Sequence, residues 1–284
     1  MSKLFDLSNE EIEVGTPVTK KEIDKLSKAL KMKFGPMFTD YLESFGSIDA
    51  EGVEIYGSGK KGNLDPIKVA TLTNRKYFKN IDDHAVIYET GNGDVYTVDS
   101  SDNVYLDNHE SKTLTDTGLK FNDFVKDIVS KMDTNAKKEI IVNDDIGLLI
   151  KEKNYNDLYR YDIFDFGKKQ YVIEILFAIS NEGLTKTHID LYKNIDKMLA
   201  KVSKNIFTEL KKYVEYLISI TDYGDIKLPS KVTMNDFIPT GIMIDSNDNQ
   251  IVLMFETIYD EEHGVGIGVK SDGALTVGQQ GEFY

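Results

Sequence analysis

The chain has 284 residues, enough for about two domains of ordinary size, and its hydrophobic content of 40% is typical of a folded globular protein. Its 34 basic and 48 acidic residues give a formal net charge of −14, which disfavours nucleic acid and anionic membranes as partners. A basic protein partner is favoured, although acidity also simply keeps a cytosolic protein in solution. The absence of cysteine excludes disulfides, thiolate metal sites and cysteine nucleophiles.

No targeting or membrane-spanning segment is apparent. The chain begins with MSKLFDLSNEEIEVG, which lacks the apolar core of a signal peptide. No stretch approaches the ~20 apolar residues that a membrane span needs. Residues 1–16 are polar and acidic and are predicted to form a loose lead-in. We therefore expect a cytoplasmic protein.

The first half predicts helices around a short β meander. Thr19 and Glu22 have the spacing of a capping box, which predicts a helix that runs to about Lys33. Pro36 suits the first turn of a second helix, which Gly46 ends. The other predicted elements are strands at 53–55, 85–89, 95–98 and 104–106, an ambiguous segment at 65–78, and an amphipathic helix at 121–132.

A polar stretch from Asp133 to Lys138 is predicted to be a linker between two domains. Beyond it, the patterns predict short strands at 140–142 and 146–150, a hairpin at 155–179, a long helical stretch at 186–219, and strands at 240–244, 250–255 and 264–269. Ser203 and Asn205 weaken the middle of the helical stretch, so two helices are an alternative. The predicted class is α+β, with domains at 17–133 and 139–284, each a mostly antiparallel sheet with helices packed on it.

No nucleophile or phosphate-binding motif is present, and no cofactor is expected. The sequence contains no G-x-S-x-G, P-loop or G-x-G-x-x-G pattern. The run Gly264–Gly268 alternates glycine with Val and Ile, which predicts a strand whose glycines let another backbone pass closely. We therefore predict no catalytic residue.

No metal site is predicted either. The four histidines, His84, His109, His188 and His263, have no partner at the spacing of metal ligands. Asp245, Asn247 and Asn249 match part of an EF-hand loop, but Gln250 stands where the sharp turn needs glycine. The flanks of that run are strand-like, so a hairpin turn is predicted there.

Acidic residues are concentrated in two stretches that lack lysine and arginine, from Ile81 to Ser111 and from Val232 to Val269. In the first stretch, the acids predicted to form a surface that binds a basic protein partner are Asp82, Asp83, Glu89, Asp94, Asp99, Asp102, Asp107 and Glu110. In the second, the predicted acidic patch consists of Asp245, Asp248, Asp260, Glu261 and Glu262. Lysines gather instead on the long helical stretch, and such segregation creates a directional field. The alternative is that these acids only protect loops and edge strands from association.

The first half also carries an ordered set of family-like segments. They are Glu22-Ile23…Leu26, Phe38–Gly46, Glu54–Gly57, Val86–Asp94, Tyr96–Asp99 and the helix Phe121–Val129. In this order, residues of about 18–131 resemble a SUKH-superfamily domain. The superfamily includes bacterial immunity proteins of polymorphic toxin systems and fungal regulators of cell-wall synthesis. The resemblance implies an α+β fold with a central sheet, binding of a cognate toxin, often a nuclease, and no catalysis.

Two departures accompany this resemblance: the usual proline before the aromatic residue of the second helix is displaced, and tryptophan is missing throughout. No binding residue is carried over, because partner contacts vary within the group. The second half resembles an uncharacterised bacterial domain found in toxin–immunity neighbourhoods, through Phe255-Glu256, Glu262–Ile267, Gly278-Gln279, Phe283 and the helical Leu191-Tyr192. That resemblance implies no known activity.

The function predicted from the sequence is therefore that of an immunity protein, which neutralises a cognate basic toxin through an acidic surface. One alternative is a regulatory scaffold in cell-envelope control, as for the fungal relatives. Another is a hydrolase that uses a carboxylate pair in the second half. A deep pocket that holds two buried acids would favour the hydrolase.

Overall fold

The computed structural model describes residues 12–50, 53–57, 65–78, 80–132, 138–152, 156–179, 183–220, 229 and 231–283. The predicted α+β class is confirmed. The described residues divide into two compact units, an N-terminal unit of 12–152 with 160–163 and a C-terminal unit of 156–159 with 164–283. The predicted linker falls almost wholly outside the described residues, and the domain boundary there stays a prediction.

Four helices and nine strands make up the N-terminal unit within the described residues. The helices are α1 (Lys20–Leu30), α2 (Pro36–Ser44), α3 (Asp65–Asn74) and α4 (Phe121–Met132). The strands are β1 (Ile12–Val14), β2 (Ile48–Ala50), β3 (Val53–Ile55), β4 (Ala85–Glu89), β5 (Val95–Val98), β6 (Asn103–Asp107), β7 (Leu114–Lys120), β8 (Lys138–Asn143) and β9 (Gly147–Glu152). Strands β1–β3 and β4–β7 form two antiparallel sheets in chain order, and β8 pairs with β9 in a hairpin.

The capping box predicted for α1 is confirmed. The backbone N–H of Glu22 donates to the Thr19 hydroxyl at 3.4 Å, and the N–H of Thr19 donates to the Glu22 carboxylate at 3.2 Å. The helix ends at Leu30, earlier than predicted, because Lys31 adopts a left-handed conformation with φ of 55° and donates its N–H back to the last turn. Part of the predicted lead-in is ordered, since residues 12–14 form β1 and pair with β2.

Aromatic rings from α2 and α4 form the centre of the N-terminal unit. Phe38, Tyr41, Phe45 and Phe121 are fully buried. The ring of Phe121 meets those of Phe38 and Tyr41 edge-on, at 4.9 and 5.0 Å between centroids. The Tyr41 hydroxyl donates to the carbonyl of Ile55 at 2.7 Å, so even the polar atom of this core is satisfied.

A buried arginine from strand β10 (Leu158–Phe166) also belongs to the N-terminal unit. Arg160 is 2% exposed, and its guanidinium donates to the Asp40 carboxylate at 2.6 Å. The same group donates to the Ser44 hydroxyl and to the carbonyl of Ile146. Arg160 therefore ties α2 to the turn between β8 and β9 with a charge-assisted network.

The C-terminal unit contains a sheet with two helices on one face. Its strands are β11 (Lys169–Ala178), β12 (Phe237–Asp245), β13 (Gln250–Thr257), β14 (Val265–Lys270) and β15 (Leu275–Gln279). Its helices are α5 (Lys186–Lys193) and α6 (Ile195–Ile220), and short 3₁₀ helices span Met234–Asp236 and Gln280–Phe283. The strand order is β15-β14-β13-β12-β11. Strands β11 and β12 run parallel and are joined through α5 and α6, whereas the other pairs are antiparallel.

The long helical stretch is two helices, as the alternative prediction allowed, but the break is not where the sequence placed it. Ser203 and Asn205 lie within α6, and the chain breaks at Asn194. The N–H of Asn194 closes α5 by donating to Leu191, and its carbonyl accepts from Met198 in the first turn of α6. The polar residues in the middle of α6 are exposed and need no partner in the core, so they do not interrupt it.

The two faces of the C-terminal sheet are covered differently. On one face, α6 packs against β14 and β15, and the ring of Phe207 lies 6.2 Å from that of Phe237. On the other face, Met243, Val252 and Met254 form a buried cluster on which Phe283 packs. The C-terminal 3₁₀ helix therefore supplies an apolar cover for the face opposite α6.

Strand β14 accommodates this cover because two of its residues lack a side chain. A Cβ added to Gly266 would lie 2.7 Å from the Phe283 ring, and one added to Gly268 would lie 3.1 Å from it. The predicted strand is confirmed as β14, but the close neighbours of these two glycines are side chains and not another backbone: the Phe283 ring at Gly266, and the Gln250 amide oxygen and then the Phe283 ring at Gly268. The two glycines thus leave the space in which the Phe283 ring packs against β14, and we call this space the Phe283 seat.

Substitution of Gly266 tests this seat. Gly266→Ala should lower the free energy of unfolding by about 1–2 kcal/mol, because the new methyl group overlaps the Phe283 ring. In urea unfolding, the cost of the alanine should shrink in a Phe283→Ala background. Gly281→Ala is the control, since its Cβ meets nothing within 4 Å, and it should change stability by less than about 0.5 kcal/mol. An equal cost in both backgrounds would contradict the seat.

Candidate functional site

The eight acids predicted in the first stretch occupy different environments. Asp82, Asp83, Glu89 and Glu110 are exposed, Asp99 is half-buried, and Asp94, Asp102 and Asp107 are buried. Burial raises the pKa of the Asp107 carboxyl above its ordinary value, although Lys112 and His84 act in the opposite direction. Asp94, Asp102 and Asp107 are therefore not accessible to a partner, so fewer of the predicted acids can take part in binding than the sequence suggested.

Asp102 is a cap of helix α2. Its carboxylate accepts the backbone N–H of Met37 at 2.9 Å and that of Phe38 at 3.0 Å, both in the first turn of the helix. Burial raises the pKa of this carboxyl above its ordinary value, and the two N–H donors only partly offset that shift. Gly35 makes room for the carboxylate, since a Cβ there would overlap it. Asp102 thus acts within the fold.

Two further acids hold the turns of the four-stranded sheet. Asp94 accepts from the backbone N–H of His109 at 2.9 Å and contacts its ring nitrogen at 2.7 Å, which links the β4–β5 turn to the β6–β7 turn. These two hydrogen bonds hold the pKa of Asp94 below its ordinary value. Asp99 accepts from the N–H of Asn103 at 2.9 Å and closes the β5–β6 turn. Glu110 lies in the β6–β7 turn, at the other end of the sheet.

Helix α3 presents an exposed apolar surface. Val69 is 61% exposed, Leu72 39% and Tyr77, just after the helix, 66%. We call these three residues the α3 surface. Large apolar and aromatic side chains that remain exposed occur at many protein-binding sites. Lys68 and Lys76 lie on the same segment, so its charge is mixed.

Three of the exposed predicted acids lie near the end of helix α3. Glu89 accepts from the Asn74 side chain at 2.6 Å, at the last residue of the helix. Arg75 follows the helix and donates to the carbonyl of His84 at 2.9 Å, which holds the loop with Asp82–Asp83 nearby. Asn74 and Arg75 therefore connect the end of α3 to both ends of β4, with Glu89 at the last residue of the strand and Asp82–Asp83 before its first.

The second predicted patch divides between the two ends of strand β13. Asp245 and Asp248 flank the β12–β13 turn, whereas Asp260–Glu262 lie in the β13–β14 turn. The hairpin turn predicted at 245–250 is confirmed: the Asp245 carboxylate accepts the N–H of Asn247 at 2.9 Å and the Gln250 amide at 3.2 Å. The two halves of the patch therefore do not form one surface.

Asp245 and Asp248 line an acidic cleft of about 660 Å³ in the C-terminal unit. Asp157 and Glu282 complete its set of four carboxylates, and Lys270 is the basic residue in its lining. The sequence analysis missed Asp157 and Glu282, because they lie far along the chain from the turn at 246–249. Only the folding of β11, β12 and the C-terminal 3₁₀ helix brings them to one place.

The acidic cleft lies at the carboxyl ends of the parallel strands β11 and β12. Ala178 is the register partner of Asp245 there, and both line the cleft. Asp157 accepts the N–H of Ile179 at 2.9 Å, and the His188 ring donates to the carbonyl of Ala178 at 2.9 Å. In open α/β sheets, this end of a parallel pair is where ligands bind. The topology and the cavity therefore indicate the same place.

The cleft does not meet the condition set for the hydrolase, two buried acids in one deep pocket. Asp245 is 8% exposed, but Asp157 is half-buried and Asp248 and Glu282 are exposed. Among the described residues, no group of three histidine or acidic side chains could hold a metal ion. The arrangement therefore suits electrostatic binding of a cation better than acid–base chemistry.

Comparison with known families addresses the N-terminal part of the chain. The SUKH_5 model, described as SMI1-KNR4 cell-wall, matches residues 1–130. This region is similar to the SUKH family. The match confirms the resemblance predicted for residues 18–131, and the SUKH family includes immunity proteins and is typically non-catalytic. The search of the curated proteins found no match to the chain. No helix among the described residues is long and apolar enough to cross a membrane.

Substitution of Asp102 tests whether a buried, capping acid stabilises the fold more than an exposed acid does. Asp102→Ala should lower the free energy of unfolding by about 1–3 kcal/mol, because two N–H groups of α2 lose their acceptor. Asp82→Asn is the matched control on an exposed acid and should stay within about 0.5 kcal/mol of the parent. Urea unfolding measures both, and similar costs would refute the capping role.

Proposed function

We propose that the protein is an immunity protein of a bacterial polymorphic toxin system, which binds a cognate basic toxin in the cytosol and blocks it without catalysis. The match of residues 1–130 to the SUKH family carries this proposal. The net charge of −14 supports a basic partner, since attraction between opposite fields raises the rate of encounter. The toxin's own activity, nuclease or other, follows from its sequence and not from this one.

The α3 surface and its neighbouring acids provide the toxin-binding site in this proposal. Tyr77 and Leu72 supply apolar contact area, and tyrosine is enriched among the residues that dominate binding energy. Asp82, Asp83 and Glu89 are exposed near the end of α3 and steer a basic partner to the site in this proposal. The apolar contacts then set the dissociation rate and the carboxylates the association rate.

The lysines of the long helical region leave those acids available. Lys186, Lys211 and Lys212 form described ion pairs with acids three or four residues away on their own helices. Pairs of this kind are neutralised locally, within α5 and α6. These described lysine pairs therefore do not neutralise the exposed acids of the first stretch, which supports a field directed by those acids.

Co-expression tests the proposed function directly. The toxin module encoded beside this gene should stop cell growth when expressed alone, and co-expression of the full chain should restore growth. Tyr77→Ala should weaken the protection, because it removes the proposed aromatic anchor. Tyr216→Ala, which alters a tyrosine that is 57% exposed on α6, is the matched control and should protect fully. Absence of protection by the full chain would overturn the proposal.

The association rate with that toxin should depend on salt. We expect it to fall about tenfold between about 50 and about 300 mM NaCl, measured by stopped-flow fluorescence, because salt screens the steering field. Asp82→Asn combined with Asp83→Asn should flatten this dependence. Glu261→Gln with Glu262→Gln removes the same charge from the β13–β14 turn and should flatten it less. A rate that does not respond to salt would exclude electrostatic steering.

The description of the matched family also favours a second candidate, a regulatory scaffold in cell-envelope control. The same α3 surface would then bind an envelope-synthesis enzyme. Capture experiments with the tagged protein separate the two candidates. Recovery of envelope-synthesis enzymes, together with absence of protection against the neighbouring toxin, would favour the scaffold.

A further inference from the structure

We infer that the acidic cleft of the C-terminal unit binds the guanidinium group of an arginine side chain that a protein partner presents. That the partner is the toxin rests on the proposed function, whereas the binding of the guanidinium group does not. Neither the family match, which ends at residue 130, nor the predicted second acidic patch assigned this site. The argument rests on the shape of the cavity, its apolar lining and its charge.

The cavity has the size and lining of a side-chain pocket. Its volume of about 660 Å³ lies within the range of small-ligand sites. Met243, Phe283, Ala178 and Ile179 contribute apolar surface. The aliphatic stem of arginine packs on apolar surface while its charged end reaches polar groups. A pocket that combines both kinds of lining therefore suits arginine better than a small hydrated cation.

The carboxylates of the cleft fall into two kinds. Asp157 and Asp245 already accept hydrogen bonds from the backbone of the cleft wall, which holds them in place. Asp248 and Glu282 are exposed, and no described hydrogen bond occupies their side-chain oxygens. These two are therefore the carboxylates available to a guanidinium donor. Lys270 lowers the negative charge of the cleft but leaves the four carboxylates in excess.

The seated aromatic ring favours arginine over lysine. Phe283 is held on Gly266 and Gly268 and also lines the cleft. A planar guanidinium stacks on an aromatic ring and binds carboxylates in a forked geometry, which the compact, strongly hydrated ammonium of lysine does less well. The glycines of strand β14 thus position an aromatic ring beside the site for a cation.

A methyl NMR titration of the full-length protein tests the site without any toxin. Acetyl-arginine amide should shift the ¹³C-methyl signals of Met243, Ala178 and Ile179 in a saturable manner. Acetyl-citrulline amide has the same shape without the charge and should not shift them, and acetyl-lysine amide should bind more weakly. Equal affinity for arginine and lysine, shifts with citrulline, or no shift of these methyl groups would each overturn the inference.

Two double variants test whether arginine binds in the cleft or is only attracted by the overall negative charge of the protein. Asp248→Asn with Glu282→Gln should weaken arginine binding about fivefold, because both available carboxylates become neutral. Glu261→Gln with Glu262→Gln removes equal charge from the opposite end of β13 and should change binding by less than about twofold. Equal weakening by both pairs would overturn the inference. Arginine binding without protection against the toxin would refute the proposed function alone, and protection without arginine binding would refute the cleft alone.

Discussion

The ring of Phe283 rests on strand β14 because Gly266 and Gly268 have no side chains, and the apolar cover on one face of the C-terminal sheet depends on that contact. A larger residue at either glycine would lift the ring from Met243, Val252 and Met254. The last turn of the chain would then no longer wall the acidic cleft. The space that the two glycines leave for the Phe283 ring therefore links the packing of the buried cluster, the position of the C-terminal 3₁₀ helix and the wall of the candidate binding site.

Acidic residues in this protein perform two physical tasks that the sequence does not distinguish. In turns and at helix ends, a carboxylate accepts backbone N–H groups that have no other partner, as Asp102 does for α2. On the surface, as at Asp82–Asp83, the carboxylate is exposed and contributes to the field, and Asp83 also lies 2.9 Å from the His84 ring nitrogen. Local sequence does not distinguish a capping acid from an exposed acid. The Phe38 N–H group that Asp102 accepts comes from a segment 64 residues away in the chain.

Elements with strong local signals could be predicted from the sequence. The capping box at Thr19 and the proline at the start of α2 placed both helices, and the short apolar runs of β12–β14 placed their strands. Strand β7 was missed because its sequence, LTDTGLK, is rich in residues that strands disfavour, and pairing with β6 overrides that preference. The parallel pairing of β11 with β12 was also missed, since strand direction depends on the crossover and not on local pattern.

The acidic cleft and the α3 surface were predictable only in part, because local sequence patterns do not show which distant residues meet in the fold. Asp245 and Asp248 could be found because the turn that carries them is local. The other cleft residues come from the ends of distant elements, and the α3 surface became visible only once the burial of its helix was known. Sequence patterns therefore locate charged turns well, but they do not indicate which of these turns meet in space.

Arg160 limits where the chain can be cut to give a stable N-terminal fragment. Its guanidinium satisfies Asp40 and Ser44 on α2, and it comes from a strand well past the region that matches the SUKH family. A fragment that stopped at residue 133 would keep the aspartate and lose its cation, leaving the acceptors of α2 without their donor. A stand-alone N-terminal piece should therefore extend at least through Ile163 to retain the interactions that complete its own interior.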